Sequence, residues 1–137
     1  MTIAALAPVV DGIRLSLHVL AATIWVGGQL TVLGLLPTAR RLDPAAPRQM
    51  ARAFSRLSWP AFWVLVATGV WNVVAVAHGQ PTAWQVVLGV KIAIVAAAGA
   101  GAWLHGRATT RRALAGWGSV AGLASIAALV LGVFLAG

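Results

Sequence analysis

Residues 115–136 read AGWGSVAGLASIAALVLGVFLA, an unbroken stretch without one ionisable side chain. A helix rises about 1.5 Å per residue, and about 20 apolar residues cross the roughly 30 Å hydrocarbon layer of a bilayer. This stretch therefore reads as a membrane span, and working back along the chain finds three more, at about 83–105, 58–78 and 13–37. Together they fill most of the 137 residues. The remainder of the composition agrees. The chain is 61% hydrophobic and 9% charged, with a mean hydropathy of +0.92, whereas a water-soluble domain carries about 25% charged residues. The expectation is a single all-α transmembrane domain over 1–137, an integral membrane four-helix bundle. No room remains for a soluble catalytic domain. The first ten residues lack a positive charge, and the apolar run outlasts a signal-peptide core, so the first span is read as retained.

The net charge is +8, but its placement is not that of a nucleic-acid-binding face. Arg40, Arg41, Arg48, Arg52 and Arg56 follow the first span, and Arg107, Arg111 and Arg112 follow the third. The loop between spans two and three and the C-terminal tail carry none. Positive loops stay on the cytoplasmic side. The pattern predicts a multi-pass protein of the cell's inner (plasma) membrane with both termini outside and both basic loops cytoplasmic. Within the first basic loop, Pro44 and Pro47 mark a helix start. Met50, Phe54 and Leu57 then share one face and Arg48, Arg52 and Arg56 another, which predicts an amphipathic interfacial helix against anionic lipid heads. Ser58-Trp59-Pro60 reads as the start of the next span, with Ser58 as N-cap, and His78-Gly79-Gln80-Pro81 as its end. Trp59, Trp84 and Trp117 stand near span ends, as interface anchors do. Ala97/Gly101 and Gly118/Gly122 are small-xxx-small pairs for close helix approach. They are read as packing within one bundle, with a homo-oligomer face or a partner in a larger membrane complex as the alternative.

Function must come from the polar residues left inside the spans, because an ionisable group in hydrocarbon is costly. These are His18 with Arg14 one turn earlier, Asn72 and Lys91. By position along their helices, His18, Asn72 and Lys91 fall in the outer leaflet on three different spans. Arg14, His18, Trp25 and Gln29 lie within about 40° of one another on a helical projection, a stripe for the bundle interior. Lys91 has no carboxylate in any span. Asp11 is better spaced for Arg14, at i, i+3. A bare intramembrane lysine calls for an anionic ligand, for loss of its charge or for access to water. Bland roles stand beside these: Arg14 snorkelling to headgroups, His18 as a satisfied buried imidazole, Asn72 as a helix–helix hydrogen bond, and His105 and Arg107 as lipid-head contacts. There are no cysteines and no span carboxylates, which excludes disulfides, thiolate metal sites and triad hydrolysis. Neither zinc-ligand clusters nor a filter loop is visible.

His18, Trp25 and Gly27-Gly28, the stretch from Phe54-Ser55-Arg56 to Thr68-Gly69, and Gly89-Val90-Lys91 resemble the CopD-type copper-resistance membrane domain and the related HemJ-type protoporphyrinogen oxidase. The likeness spans roughly residues 14–107. It implies a four-helix membrane protein with haem b held near the first-helix histidine and third-helix lysine, here His18 and Lys91. Arg14 and Lys91 would then neutralise the propionates of the tetrapyrrole. A membrane quinone is the candidate electron partner for such a cofactor. The Tyr-Leu-Pro-Arg continuation and aromatic-His helix end that HemJ-type proteins carry after Gly28 are missing, a departure from the pattern that goes with the oxidase activity. The CopD likeness implies copper handling as the alternative, with His18 as the metal ligand. Cu(I) favours sulfur, however, and the two methionines, Met1 and Met50, lie outside the spans.

Overall fold

The computed structural model describes residues 6–137; the sequence reading of residues 1–5 lies outside them. Every regular element is helical. They are α1 (Val9–Ala22), a wide π-turn (Thr23–Gly27), α2 (Gly28–Leu42), α3 (Ala46–Val76), α4 (Thr82–Arg107) and α5 (Arg111–Ala136). α1, the π-turn and α2 form one continuous rod. Among the described residues this rod, α3, α4 and α5 are four helices long and apolar enough to cross a membrane. They make the expected bundle. Its terminal end gathers the start of α1, the end of α3, the start of α4 and the end of α5. The opposite, arginine end carries Arg40, Arg41, Arg48, Arg52, Arg107, Arg111 and Arg112, all exposed.

Local chemistry explains the helix ends. Asp43 Oδ1 accepts from the Ala45 amide at 2.7 Å, an Asx turn that reverses the chain in three residues. Pro47 then sits in the first turn of α3, where a missing N–H is harmless. Gly79 takes the left-handed backbone (φ 77°) that closes the α3–α4 turn. Thr110 caps α5 by accepting from the Ala113 amide at 3.1 Å.

Two expectations need correction. Residues 46–57 are not a separate helix lying along the membrane surface; they are the first turns of α3. Ser58 accordingly caps nothing. It is buried in mid-helix, and its hydroxyl donates back to the Ser55 carbonyl at 3.5 Å. Pro60 lies inside the helix, costing one backbone hydrogen bond without ending it, as membrane helices tolerate. The tertiary reason lies on the neighbouring rod. The Phe54 ring occupies the place a side chain on Gly28 would take, which ties this extension to α2. At 31 residues, α3 is about 46 Å long, so its arginine-bearing turns project beyond a hydrocarbon layer of about 30 Å.

α4 and α5 pack closest. A Cβ on Gly101 would stand 3.0 Å from the Ala121 amide nitrogen, so bare backbone meets backbone there. Ala97 is exposed, and Gly122 has nothing within 4 Å of a would-be Cβ. One residue of each expected pair is therefore used. Gly118 receives the His105 ring at 3.0 Å, whose Nδ1–H donates to the Leu114 carbonyl at 2.8 Å. His105 thus locks the α4–α5 turn, while Arg107 stacks on Trp103 at 4.2 Å. Overpacking a close contact costs about 1–3 kcal/mol. Gly101→Val is expected to lower stability by about that amount in SDS-titrated unfolding, and Gly122→Val to leave it unchanged.

Candidate functional site

The bundle divides into a half whose polar groups are satisfied and a half where several are not. The satisfied half is an aromatic core. Trp25 packs on Phe62 with centroids 4.6 Å apart and on Trp59 at 5.7 Å; Trp59 and Phe62 meet edge-on at 5.7 Å. Phe62 in turn fills the space left by Gly99 of α4, whose would-be Cβ lies 2.7 Å from the ring. Trp25 is 4% exposed, and its indole N–H donates to Ser125 Oγ at 2.9 Å. Ser125 Oγ–H in turn donates to the Ala121 carbonyl at 2.6 Å, and Gln29 donates to the Trp25 carbonyl at 2.9 Å. Trp25 therefore lies inside the bundle, as its stripe implied, but as a packed and hydrogen-bonded core residue about 10 Å along the rod from His18. Trp59 belongs to the same cluster rather than to an interface. Trp84 does stand near a helix start, with its N–H on the Leu135 carbonyl at 3.1 Å.

The second half lies nearer the terminal end. His18 on α1 contacts Thr68 on α3, with Nδ1 and Oγ1 2.8 Å apart. The single hydroxyl proton of Thr68 is committed to its own backbone, on Val64 O at 2.7 Å or Leu65 O at 3.2 Å. Thr68 Oγ1 therefore accepts, and His18 donates from Nδ1–H. This arrangement assigns the proton to Nδ1 and leaves the lone pair on Nε2 when the ring is neutral. Gly69 makes room for the ring, with a would-be Cβ 3.6 Å from Cε1. Imidazoles that ligate metals are held in this way, by a hydrogen bond from the other ring nitrogen.

Lys91 reaches from α4 to α5, where its Nζ lies 2.8 Å from the position of a Cβ on Gly132. Any larger residue at 132 would displace the amine. His18 and Lys91 are both half-buried and lie in the half of the bundle nearer the termini. The chain has two acids, Asp11 and Asp43. Asp43 belongs to the α2–α3 turn at the arginine end, and Asp11 is engaged with Arg14 at 2.9 Å, so Lys91 has no carboxylate partner. Arg14 is buried, and Asn72, on α3, has a buried Oδ1 with no hydrogen-bond partner among the described residues.

The structure thus sets His18 against Thr68 and Gly69 on α3 and Lys91 against Gly132 on α5; Thr68, Gly69 and Gly132 are residues that sequence reasoning had not singled out as site residues. Thr68 and Gly69 close the stretch that carries the family resemblance, and Thr68 lies four residues before Asn72 on the same face of α3; those were the available signals. For Gly132 no signal exists in a span rich in glycine and alanine.

Comparison with models of known protein families, with curated proteins and with solved structures finds no match to the chain. What the region can do follows from its chemistry. It offers one oriented imidazole nitrogen, one cation without a counter-ion and a buried guanidinium. Among the described residues no group of three or more His, Cys, Asp or Glu side chains converges.

Removing the Ser125 hydroxyl would leave the buried indole N–H unpaired, at a cost of about 1–2 kcal/mol. Ser125→Ala should destabilise the bundle by that amount in the wild-type background and by much less beside Trp25→Phe, as read in a double-mutant unfolding cycle.

Proposed function

We propose that the chain is a small multi-pass protein of the inner (plasma) membrane that holds a haem b-type cofactor in the half of the bundle nearer its termini. His18 is the iron ligand, and the electron partner is a membrane quinone. The observation that supports this most is the His18–Thr68 hydrogen bond, which leaves Nε2 as an oriented, neutral donor, the form in which imidazole binds haem iron. The donor chemistry fits in a second respect. A haem carries two carboxylates, and Lys91, held over Gly132 without an acid, supplies a positive charge in the same half of the bundle.

When bound, haem supplies one-electron redox chemistry. The chain's own residues do the rest. Thr68 holds the imidazole in one tautomer and orientation. Gly69 and Gly132 keep side-chain volume away from His18 and Lys91. The aromatic core beneath fixes the spacing of α1, α3 and α4. Copper handling is less well supported. A tetrapyrrole fills four metal positions itself and needs only one protein ligand, whereas a copper site needs two or three convergent side chains, and His18 has no such companions. Orientation belongs to the same proposal, with the arginine end in the cytoplasm and the termini outside.

The protein purified in detergent after haem-replete expression is expected to show a Soret band. His18→Ala should abolish it. Thr68→Val, which keeps the shape but removes the acceptor, should weaken haem binding by about 10–100-fold. Absence of the band, together with unchanged spectra on adding hemin, overturns the reading. Because the chain has no native cysteine, orientation can be read from single introduced ones. Gln80→Cys should react with an impermeant maleimide in intact cells, and Asp43→Cys only after permeabilisation; the reverse pattern would invert the topology.

A further inference from the structure

The roles given to His18 and Lys91 do not account for two polar groups at the terminal end, one of which, Arg14, the family resemblance sets against a propionate. Arg14 is 5% exposed even without lipid around the bundle. Its Nη2 pairs with Asp11 Oδ1 at 2.9 Å, but Nε and Nη1 are buried with no hydrogen-bond partner among the described residues. Asn72 Oδ1 is in the same condition. These two residues are not scattered. α1 and α3 run antiparallel, and the contact of His18 Nδ1 with Thr68 Oγ1 sets their register. One turn toward the terminal end is four residues back on α1 and four residues on along α3, which gives Arg14 and Asn72. They occupy one layer, about 6 Å from the His18–Thr68 pair, and neither satisfies the other.

Unmade hydrogen bonds on a buried charged group are among the most costly features a protein can carry. A guanidinium presents a planar fork of N–H donors that matches two oxygens of a carboxylate or a phosphate. Asn72 suits the same guest, since its carboxamide can turn about its last bond to present N–H to an oxyanion or C=O to a hydroxyl. Asp11 takes only one of the five guanidinium N–H groups and holds the fork in place from the rim, where its side chain is 41% exposed.

The geometry points to an oxyanion-binding site between α1 and α3, with Arg14 as the fork and Asn72 as the second contact. Two sources carry this chemistry: a side-arm carboxylate of the proposed cofactor, and the phosphate of an anionic lipid entering from the bilayer. The first source rests on the haem reading; the second stands without it.

The test titrates the purified full chain with hemin and with hemin dimethyl ester, and counts retained phosphatidylglycerol by native mass spectrometry. Both measurements are made on wild type, Arg14→Gln and Asn72→Ala. If the guest is a carboxylate, wild type binds hemin at least about tenfold more tightly than the ester, and Arg14→Gln narrows that difference, Lys91 carrying what remains; a difference that Arg14→Gln leaves unchanged belongs to Lys91 alone and overturns the carboxylate source. If the guest is a lipid phosphate, hemin and its ester behave alike, and wild type retains a phosphatidylglycerol that Arg14→Gln loses. Asn72→Ala shows the same change to a smaller degree in either case. Failure of wild type to bind hemin at all sinks the haem reading, and the lipid measurement then decides this site alone. Equal behaviour of hemin and ester together with equal lipid retention by wild type and Arg14→Gln overturns it. Should Arg14→Gln fail to fold by circular dichroism and gel filtration, Arg14→Lys, which keeps the charge and loses the fork, is read in the same way.

Discussion

Hydrocarbon cannot hydrate a cation, and this chain carries ten. Eight avoid the problem by lying on the loops or on helix turns near them. Arg14 and Lys91 cannot, and the half of the bundle nearer the termini is arranged around them. Arg14 is covered by protein more completely than most of the apolar residues, with Asp11 as its partner. Lys91 extends along α4 and rests its amine in the space left open at Gly132. Neither position is one that a purely structural bundle needs. Lys91 obliges α5 to give up volume at Gly132 and has no carboxylate partner, and Arg14 keeps two buried nitrogens without a hydrogen-bond partner among the described residues.

The other half shows what the same helices do when stability alone is at stake. There the indole, hydroxyl and carboxamide groups of Trp25, Ser125 and Gln29 satisfy one another or the backbone, and aromatic rings fill the space left by Gly28 and Gly99. Helix association in a membrane draws on close packing and interhelical hydrogen bonds rather than on exclusion of water. Both are concentrated here. The contrast between the halves is informative. Natural proteins keep local rules almost everywhere and break them at functional sites, and the broken rules lie at Arg14, Asn72 and Lys91.

Much of the fold was readable along the chain. Run lengths gave the four spans, because span length is set by bilayer thickness rather than by partners. Pro44, Pro47 and Gly79 marked two of the turns through their own backbone limits. The i, i+3 pairing of Asp11 with Arg14 is local helix geometry and was equally readable. The continuation of α3 through Ser58-Trp59-Pro60 was not. Those residues spell a helix start, and only the seating of Phe54 against Gly28 explains why the helix runs through them. The π-turn at Thr23–Gly27 leaves no periodic trace, and Gly101 was distinguishable from Ala97 and Gly122 only by the neighbour it meets.

By itself, then, the order of the residues determined how many helices cross, where charge gathers and which side chains are too polar for their depth, since each of these depends on one helix and its solvent. The tertiary structure decided that Thr68 rather than Asn72 meets His18, that Trp25 serves the core, and that Gly132 makes room for Lys91. Each depends on the register and rotation of one helix against another. That register is set by where small residues let backbones close up, and in a chain with glycine and alanine on every face, many registers satisfy the sequence while packing selects one.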